Sequence, residues 1–140
     1  MAHVPPGMTG TSERPAAVTA LVVENDLANR ELLARVLRLK GLEAYTAIGA
    51  AQAAALLVDA PSAFDLVVVD LNLEPVDGVE LLRQLAALAP SQRPGKIVAI
   101  SDSLARYYPR LAELQLDLEM FQKPIHLPSL MKVIESLNRP

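Results

Sequence analysis

The chain has 140 residues, 51% of them hydrophobic, which is the size of one domain with enough apolar side chains to form a core. Its 13 Lys and Arg residues are scattered and are outnumbered by 16 Asp and Glu, so the net charge of −3 does not favour nucleic-acid binding. The absence of cysteine excludes disulfides and thiolate metal sites, and no apolar run approaches the roughly 20 residues that cross a membrane. We expect a soluble, cytoplasmic, single-domain protein.

The N-terminal segment differs in composition from the rest. Residues 1–17 are rich in Pro, Gly, Ser and Thr, and they lack the basic start and apolar centre of a signal peptide. This composition predicts a flexible tail over residues 1–17, followed by one folded domain over residues 18–140.

The first half of the domain alternates apolar runs with helical patterns. Segment 18–24 is a nearly continuous β-branched run, typical of a strand buried on both faces. Residues 27–40 carry apolar side chains at helical spacing, and Gly41 is suited to end that helix. A weaker strand pattern covers residues 42–47, and the alanine-rich stretch 50–60 predicts a helix that the following proline stops.

The second half repeats the alternation. Three more strands are predicted over residues 64–70, 96–100 and 118–122, and three more helices over residues 78–89, 103–114 and 127–137. Pro109 falls inside the second of these helices, so we expect its first turns to be distorted or separate. Five strands alternating with five helices predict an α/β fold, a doubly wound parallel sheet with helices on both faces.

Polar side chains follow the predicted strands where each strand ends: Glu24, Asn25, Asp26, Asp70, Ser101 and Lys123. In a sheet of this kind the carboxyl ends of the strands meet at one edge, where ligands bind. Burying charged groups together costs several kcal/mol unless they are paired or bind an ion. The sequence therefore predicts a functional site at this edge.

Phosphoryl transfer is the chemistry that this set of side chains favours. A carboxylate such as Asp70 can attack phosphorus to form an aspartyl phosphate. The negative oxygens of the phosphoryl group then need cations, a role suited to Mg²⁺ and to Lys123. The hydroxyl of Ser101 can donate a hydrogen bond to a phosphoryl oxygen once one is present.

Four short motifs together resemble the receiver domain of two-component response regulators, in the family's order and at its usual separations, over residues 18–137. They are "LVVEND", "VVVDLNLEPVDG", "IVAIS" and "FQKPI". The resemblance implies the flavodoxin-like receiver fold, a five-stranded sheet of strand order 2-1-3-4-5. We expect a stand-alone receiver similar to chemotaxis receivers, with no output domain, because the chain stops at Pro140 just after the last predicted helix.

The resemblance also implies a role for each matching residue. Asp70 matches the phospho-acceptor, and Ser101 matches the hydroxyl that switches towards the phosphoryl group. Glu24 and Asn25 fall where the family keeps an acidic pair for Mg²⁺, to which Asn72 would add its backbone carbonyl. The implied metal set is therefore Glu24, Asn25, Asp70 and Asn72.

The "FQKPI" motif implies a further contact and a signalling face. Lys123 matches the lysine that contacts the phosphoryl group, and the family's typical geometry implies a cis bond to Pro124. The fourth helix, fifth strand and fifth helix form the face that we expect a partner or a second copy to bind, with Tyr107, Met120 and Pro124 on it. Partial burial of Tyr107 in the core is the alternative.

Four positions depart from the family's pattern. Asn25 replaces the second acid and lacks its formal charge, so Mg²⁺ affinity should fall, and the neighbouring Asp26 leaves the strand in another direction. Asp102 stands where a very small residue is preferred, and its charge would repel an incoming anion. Pro75 is displaced by one position, which predicts a different loop, and Met120 replaces the usual switching aromatic residue.

The leading hypothesis is a response regulator that accepts phosphate on Asp70 from a histidine kinase or a phosphorelay protein and signals through protein contacts, not as an enzyme of turnover. The first alternative is a degenerate receiver that acts as an interaction module without phosphorylation, as Asn25, Asp102 and Met120 favour. The second is a small hydrolase with an aspartyl nucleophile. That class needs a general acid two residues after the nucleophile, where this chain has Asn72.

Overall fold

The structure, a computed structural model, describes residues 17–58 and 61–137, so the tail predicted over residues 1–17 lies almost wholly outside the described residues. The strands are β1 (Thr19–Val23), β2 (Glu43–Ala47), β3 (Leu66–Asp70), β4 (Lys96–Ser101) and β5 (Glu119–Gln122). The helices are α1 (Leu27–Leu39), α2 (Ala50–Leu57), α3 (Gly78–Ala86), α4 (Leu104–Ala112) and α5 (Leu127–Leu137). Short 3₁₀ turns occupy Pro61–Ala63 and Pro90–Gln92. The predicted alternation is confirmed in order and type.

The strands form one parallel sheet in the order β2-β1-β3-β4-β5. The β-branched runs of β1 and β3 are buried along their whole length, as expected for strands covered on both faces. All strands run in the same direction, and the order in which they are added across the sheet reverses at β1, which pairs with β2 on one side and β3 on the other. This is the doubly wound arrangement whose ligand crevice lies at the carboxyl ends of the strands.

Two hydrophobic cores lie on opposite faces of the sheet. On one face, α1 and α5 pack against the sheet through residues such as Leu37 and Ile134. On the other face, α2, α3 and α4 pack through residues such as Leu57, Leu82 and Leu111. The two layers hold the strand ends rigidly from both sides, which is what a site built at those ends requires.

Local sequence explains where α1 begins and ends. The side chain of Asp26 caps its N-terminus by accepting a hydrogen bond from the Asn29 amide at 2.9 Å. At the other end Gly41 adopts φ +89°, and the amide of Leu42 donates to the Leu37 carbonyl at 3.1 Å. This closure needs a residue that tolerates positive φ, so the prediction that Gly41 ends the helix is confirmed.

Two helices differ from their predicted form. α3 ends at Ala86, before the predicted residue 89, and the side chain of Arg93 donates to the carbonyls of Ala86 and Leu88 at 2.8 and 3.1 Å. α4 is continuous across Pro109, so the expectation of separate first turns is wrong. The buried side chains of Tyr107 and Leu111 anchor α4 on both sides of the proline, and this packing offsets the lost backbone hydrogen bond.

No helix in the two described ranges is both long enough and apolar enough to cross a lipid bilayer.

Candidate functional site

The predicted polar residues meet at the carboxyl edge of the sheet. Asp70 and Ser101 are the last residues of β3 and β4, while Glu24 and Lys123 directly follow β1 and β5. The exposed fractions of Glu24, Asp70 and Ser101 are 0%, 2% and 0%, so two carboxyl groups and a hydroxyl are buried together. Parallel strands that end in register bring together residues 99 positions apart in the chain.

The ammonium group of Lys123 bridges the two carboxyl groups. Its Nζ lies 2.7 Å from Glu24 Oε1 and 3.2 Å from Asp70 Oδ2. Burial opposes the charged lysine, but the hydrogen bond to Glu24 and the negative charges of Asp70 and Glu24 outweigh it and raise the pKa of Lys123. The backbone supports this placement, since the Lys123 amide donates to the Ser101 carbonyl at 2.8 Å. The peptide bond from Lys123 to Pro124 is cis, as the sequence predicted.

One oxygen of the two carboxyl groups has no hydrogen-bond partner among the described residues. Glu24 Oε2 is buried and has no hydrogen bond among the described residues. Burial, and next the neighbouring Asp70 carboxyl, raise the pKa of Glu24 from 4.5 to about 7, while Lys123 acts in the opposite direction. Two carboxylates facing one ammonium group carry one excess negative charge, so the site suits a further cation or a proton.

Asn72 connects this charged group to α4. Its backbone amide donates to Asp70 Oδ1 at 3.0 Å, and its side-chain Oδ1 accepts a hydrogen bond from Ser101 Oγ at 2.7 Å. Its Nδ2 donates to the hydroxyl of Tyr107 at 3.1 Å and lies 3.4 Å from Ser103 Oγ. The hydroxyl of Ser101 is thus directed at Asn72 in the unphosphorylated protein.

These side-chain contacts of Asn72 were not predicted. Only a backbone role was expected for Asn72, because no sequence pattern indicates a contact between residues 35 positions apart. The apolar spacing of Leu104, Tyr107 and Leu111 along α4 indicates that Tyr107 faces the core, but not which residue its hydroxyl meets.

Asn25, Asp26 and Asp102 lie in the loops around the site. Asn25 is exposed, and the side chain of Arg30 donates to the carbonyls of Glu24 and Asn25 at 3.0 and 3.4 Å. Asp26 is engaged as the cap of α1, in keeping with the prediction that it does not replace Asn25. Asp102 is exposed, and its backbone carbonyl accepts a hydrogen bond from the side chain of Gln122.

The donor set for a metal ion is small. Within residues 17–58 and 61–137, no three His, Cys, Asp or Glu side chains are grouped so as to hold a metal ion. Glu24 and Asp70 supply two buried carboxyl groups, and the residue after Glu24 is the exposed amide Asn25. The unpaired oxygen of Glu24 and the excess negative charge nevertheless fit a cation with oxygen ligands.

The three residues expected on an interaction face differ in exposure. Met120 is 42% exposed and Pro124 is also exposed, whereas Tyr107 is only 6% exposed. The placement of Tyr107 on the surface is therefore corrected in favour of burial, because its ring belongs to the core between α4 and the sheet. The exposed tyrosine of α4 is Tyr108, at 49%.

The acceptor loop, residues 71–77, connects β3 to α3. The peptide bond between Glu74 and Pro75 is cis. At the end of the loop the side chain of Asp77 caps α3 and receives two hydrogen bonds from Arg110 of α4, at 2.6 and 3.2 Å. The Arg110 guanidinium, together with the capping contacts, lowers the pKa of Asp77 below its usual range.

Known proteins resemble this chain in sequence and in fold. A response regulator receiver domain (CheY-like) from Methylobacillus flagellatus is 30% identical, with 88% of this chain and 100% of that chain covered and a TM-score of 0.70. A response regulator receiver protein from Pseudomonas putida is 26% identical, with 88% and 99% covered and a TM-score of 0.74. Chemotaxis response regulator CheY4 of Vibrio cholerae, at 19% identity, 87% and 99% coverage and a TM-score of 0.72, shows the shared fold alone.

No curated protein matches the chain. The family model of the response regulator receiver domain matches residues 20–135. This range includes β1 from its second residue, the other four strands, and Glu24, Asp70, Ser101 and Lys123. The chain therefore belongs to the response regulator receiver domain family.

Proposed function

We propose that Asp70 accepts a phosphoryl group from a sensor histidine kinase or a phosphotransfer protein and that the protein signals by contacts with other proteins. Receiver domains are signalling modules of two-component systems. The observation that carries the proposal is the buried Asp70 carboxyl, paired with Lys123 at 3.2 Å at the open edge of the sheet. A structural carboxylate gains little from such burial, whereas a nucleophile towards phosphate needs the cation beside it.

The transfer balances with the groups present. An oxygen of Asp70 forms a bond to phosphorus as the phosphorus–nitrogen bond of the donor's phosphohistidine breaks, and the imidazole leaves with the bonding electrons and takes up a proton. Lys123 remains protonated because its pKa is raised, so it balances charge on the phosphoryl oxygens. Ser101, at the end of the neighbouring strand, supplies the hydroxyl for one of those oxygens.

Mg²⁺ is part of the proposal. Glu24, Asn25, Asp70 and the backbone carbonyl of Asn72 would hold it, and the ion would neutralise negative charge on the phosphoryl group. The unpaired buried oxygen of Glu24 supports this assignment, since a buried polar atom without a partner is costly.

Mass spectrometry after exposure to acetyl phosphate and Mg²⁺ tests the acceptor directly. We expect one phosphoryl adduct that maps to Asp70 and is absent from Asp70→Asn. Asp65→Asn is the matched control, because Asp65 lies at the opposite end of β3, and we expect it to form the adduct. An adduct on another residue, or none on the wild type, would refute the proposal.

Output is proposed to pass through the face of α4, β5 and α5, where Met120 and Pro124 are exposed. A downstream protein or a second copy of the chain would bind this face differently in the two states. The charge that phosphorylation adds to the strand edge would shift an equilibrium between two arrangements of the site.

A phosphorylation-independent receiver is the second candidate, favoured by the exposed Asn25 and Asp102 at the site. A titration with Mg²⁺ followed by beryllofluoride, a phosphoryl mimic, separates the two candidates. The phospho-acceptor predicts a metal-dependent spectral change, and its absence at millimolar Mg²⁺ would support the degenerate receiver.

A further inference from the structure

We propose that Tyr107 is a positioning residue for the acceptor site. Its buried hydroxyl holds the side chain of Asn72, and Asn72 in turn holds the hydroxyl of Ser101 away from Asp70. Phosphorylation would then be communicated to α4 through Asn72 and Tyr107. This inference rests on the proposed function of Asp70 as phospho-acceptor.

The hydrogen bonds define a continuous chain from the site to the helix. Ser101 Oγ already accepts from the Ser103 amide at 2.9 Å, and it directs its own proton to Asn72 Oδ1 at 2.7 Å. The amide nitrogen of Asn72 donates to the Tyr107 hydroxyl at 3.1 Å. The amide therefore has its oxygen engaged by one hydroxyl and its nitrogen by another, which links Ser101 to Tyr107.

This series of hydrogen bonds has two alternative arrangements, because the hydroxyl of Ser101 carries a single proton and can donate it to only one acceptor. A phosphoryl group on Asp70 would present charged oxygens, which are stronger acceptors than the amide oxygen of Asn72. If Ser101 turns its proton to the phosphoryl group, Asn72 Oδ1 loses its donor and the amide is free to reorient. The hydrogen bond to Tyr107 then changes as well.

α4 is in a position to respond to that change. Tyr107 is only 6% exposed and its ring belongs to the core between α4 and the sheet, so a change at its hydroxyl acts on a packed part of the helix. One turn further along α4, Arg110 binds Asp77 at the other end of the acceptor loop, at 2.6 and 3.2 Å. α4 is thus attached to both ends of the loop that carries Asn72.

Residue 120 is poorly suited to this role. Met120 is 42% exposed, and its thioether is at best a weak hydrogen-bond acceptor. The phenol of Tyr107, contributed by the neighbouring helix, is the aromatic hydroxyl that reaches the site through Asn72.

The test compares Tyr107→Phe, which removes only the hydroxyl, with Tyr108→Phe, its exposed neighbour on α4. In the unphosphorylated protein we expect Tyr107→Phe to shift the NMR signals of the Asn72 side-chain amide and Tyr108→Phe to leave them in place. On phosphorylation with acetyl phosphate, we expect the signal displacements in α4 to fall by roughly half or more in Tyr107→Phe.

A double-mutant comparison separates positioning from simple stability. Tyr107→Phe loses one neutral hydrogen bond and so destabilises the arrangement in which the Ser101 hydroxyl donates to Asn72. We therefore expect a roughly two- to tenfold higher level of the phosphoryl adduct in this variant. In a Ser101→Ala background the same substitution should have no effect. If Tyr107→Phe does not fold, Asn72→Ala interrupts the same chain and should give the same pattern.

The outcomes are distinct. Undiminished α4 displacements in phosphorylated Tyr107→Phe, or an equal effect of Tyr107→Phe with and without Ser101, would overturn the positioning role alone. A wild-type protein that forms no adduct on Asp70 would instead overturn the proposed function on which it rests.

Discussion

In the proposed metal site, residue 25 would set how much charge is presented to Mg²⁺. Glu24 and Asp70 are the two carboxyl groups of the buried cluster, and Asn25 is the adjoining residue where an acid would add a third. An amide oxygen can coordinate Mg²⁺, but it lacks the formal charge that strengthens binding to a hard cation.

Asn25→Asp is therefore expected to tighten Mg²⁺ binding by about tenfold, measured by calorimetric titration. Asn29→Asp is the matched control, because it adds the same charge at an exposed position of α1 and should change the affinity little. Equal affinities in wild type and Asn25→Asp would show that residue 25 does not face the metal.

At the scale of single residues, the sequence predicted which residues form the site better than it predicted which side chains they contact. Asp70, Ser101 and Lys123 were identified because their types stand at strand ends, where the fold gathers side chains. Tyr107 was expected on an interaction face, with burial in the core as the alternative. Neither expectation included its contact with Asn72, because periodicity indicates which face of a helix is apolar but not which polar group that face meets.

At the scale of elements, the start of α3 is packed against the end of β3. A Cβ atom on Gly78 would lie 2.8 Å from the Cα of Leu71 and 2.9 Å from Cγ1 of Val69, closer than such atoms approach in proteins. The helix can therefore sit this close to the acceptor strand only with glycine at its first position.

Gly78→Ala should lower the free energy of unfolding by about 1–3 kcal/mol, because backbone atoms must shift to admit the methyl group. Gly49→Ala, at the start of α2, is the control: its Cβ would meet only the Glu74 carbonyl oxygen, at an ordinary 3.8 Å. Urea denaturation of both variants measures the difference, and equal stabilities would contradict the packing described here.

Element boundaries were less predictable than element types. The continuity of α4 across Pro109 contradicted the local expectation, because buried Tyr107 and Leu111 hold the helix against the sheet. α3 ends early at Ala86, and the side chain of Arg93 binds the carbonyls of Ala86 and Leu88 at this end. Neither outcome follows from helix propensity, which tertiary packing overrides.

At the scale of the whole molecule, the buried Glu24 makes stability depend on pH. Its pKa in the folded chain, about 7, lies above its ordinary value of 4.5, so the folded state holds a proton that the unfolded state releases. The stabilisation is complete below about pH 4.5 and is lost as pH rises towards 7, with a slope of at most about 1.4 kcal/mol per pH unit.

We expect the unfolding free energy, measured by urea denaturation in a chelator to exclude Mg²⁺, to decline across this window in the wild type. Glu24→Gln should flatten the decline, since its side chain does not titrate. Glu31→Gln, at an exposed position of α1, should retain the wild-type slope. A slope unchanged in Glu24→Gln would show that this carboxyl does not titrate in the window.

The order of strands and helices, the edge that carries the site and the identity of its charged residues follow from local information. Strand and helix periodicities are set by near neighbours, and parallel βα units place all strand ends on one edge. The bridge from Lys123 to two carboxyl groups, the direction of the Ser101 proton and the hydrogen bond from Asn72 to Tyr107 were decided only by tertiary packing. Each of these contacts depends on which side chain of a distant element packs beside the group. No periodic pattern along the chain indicates that side chain.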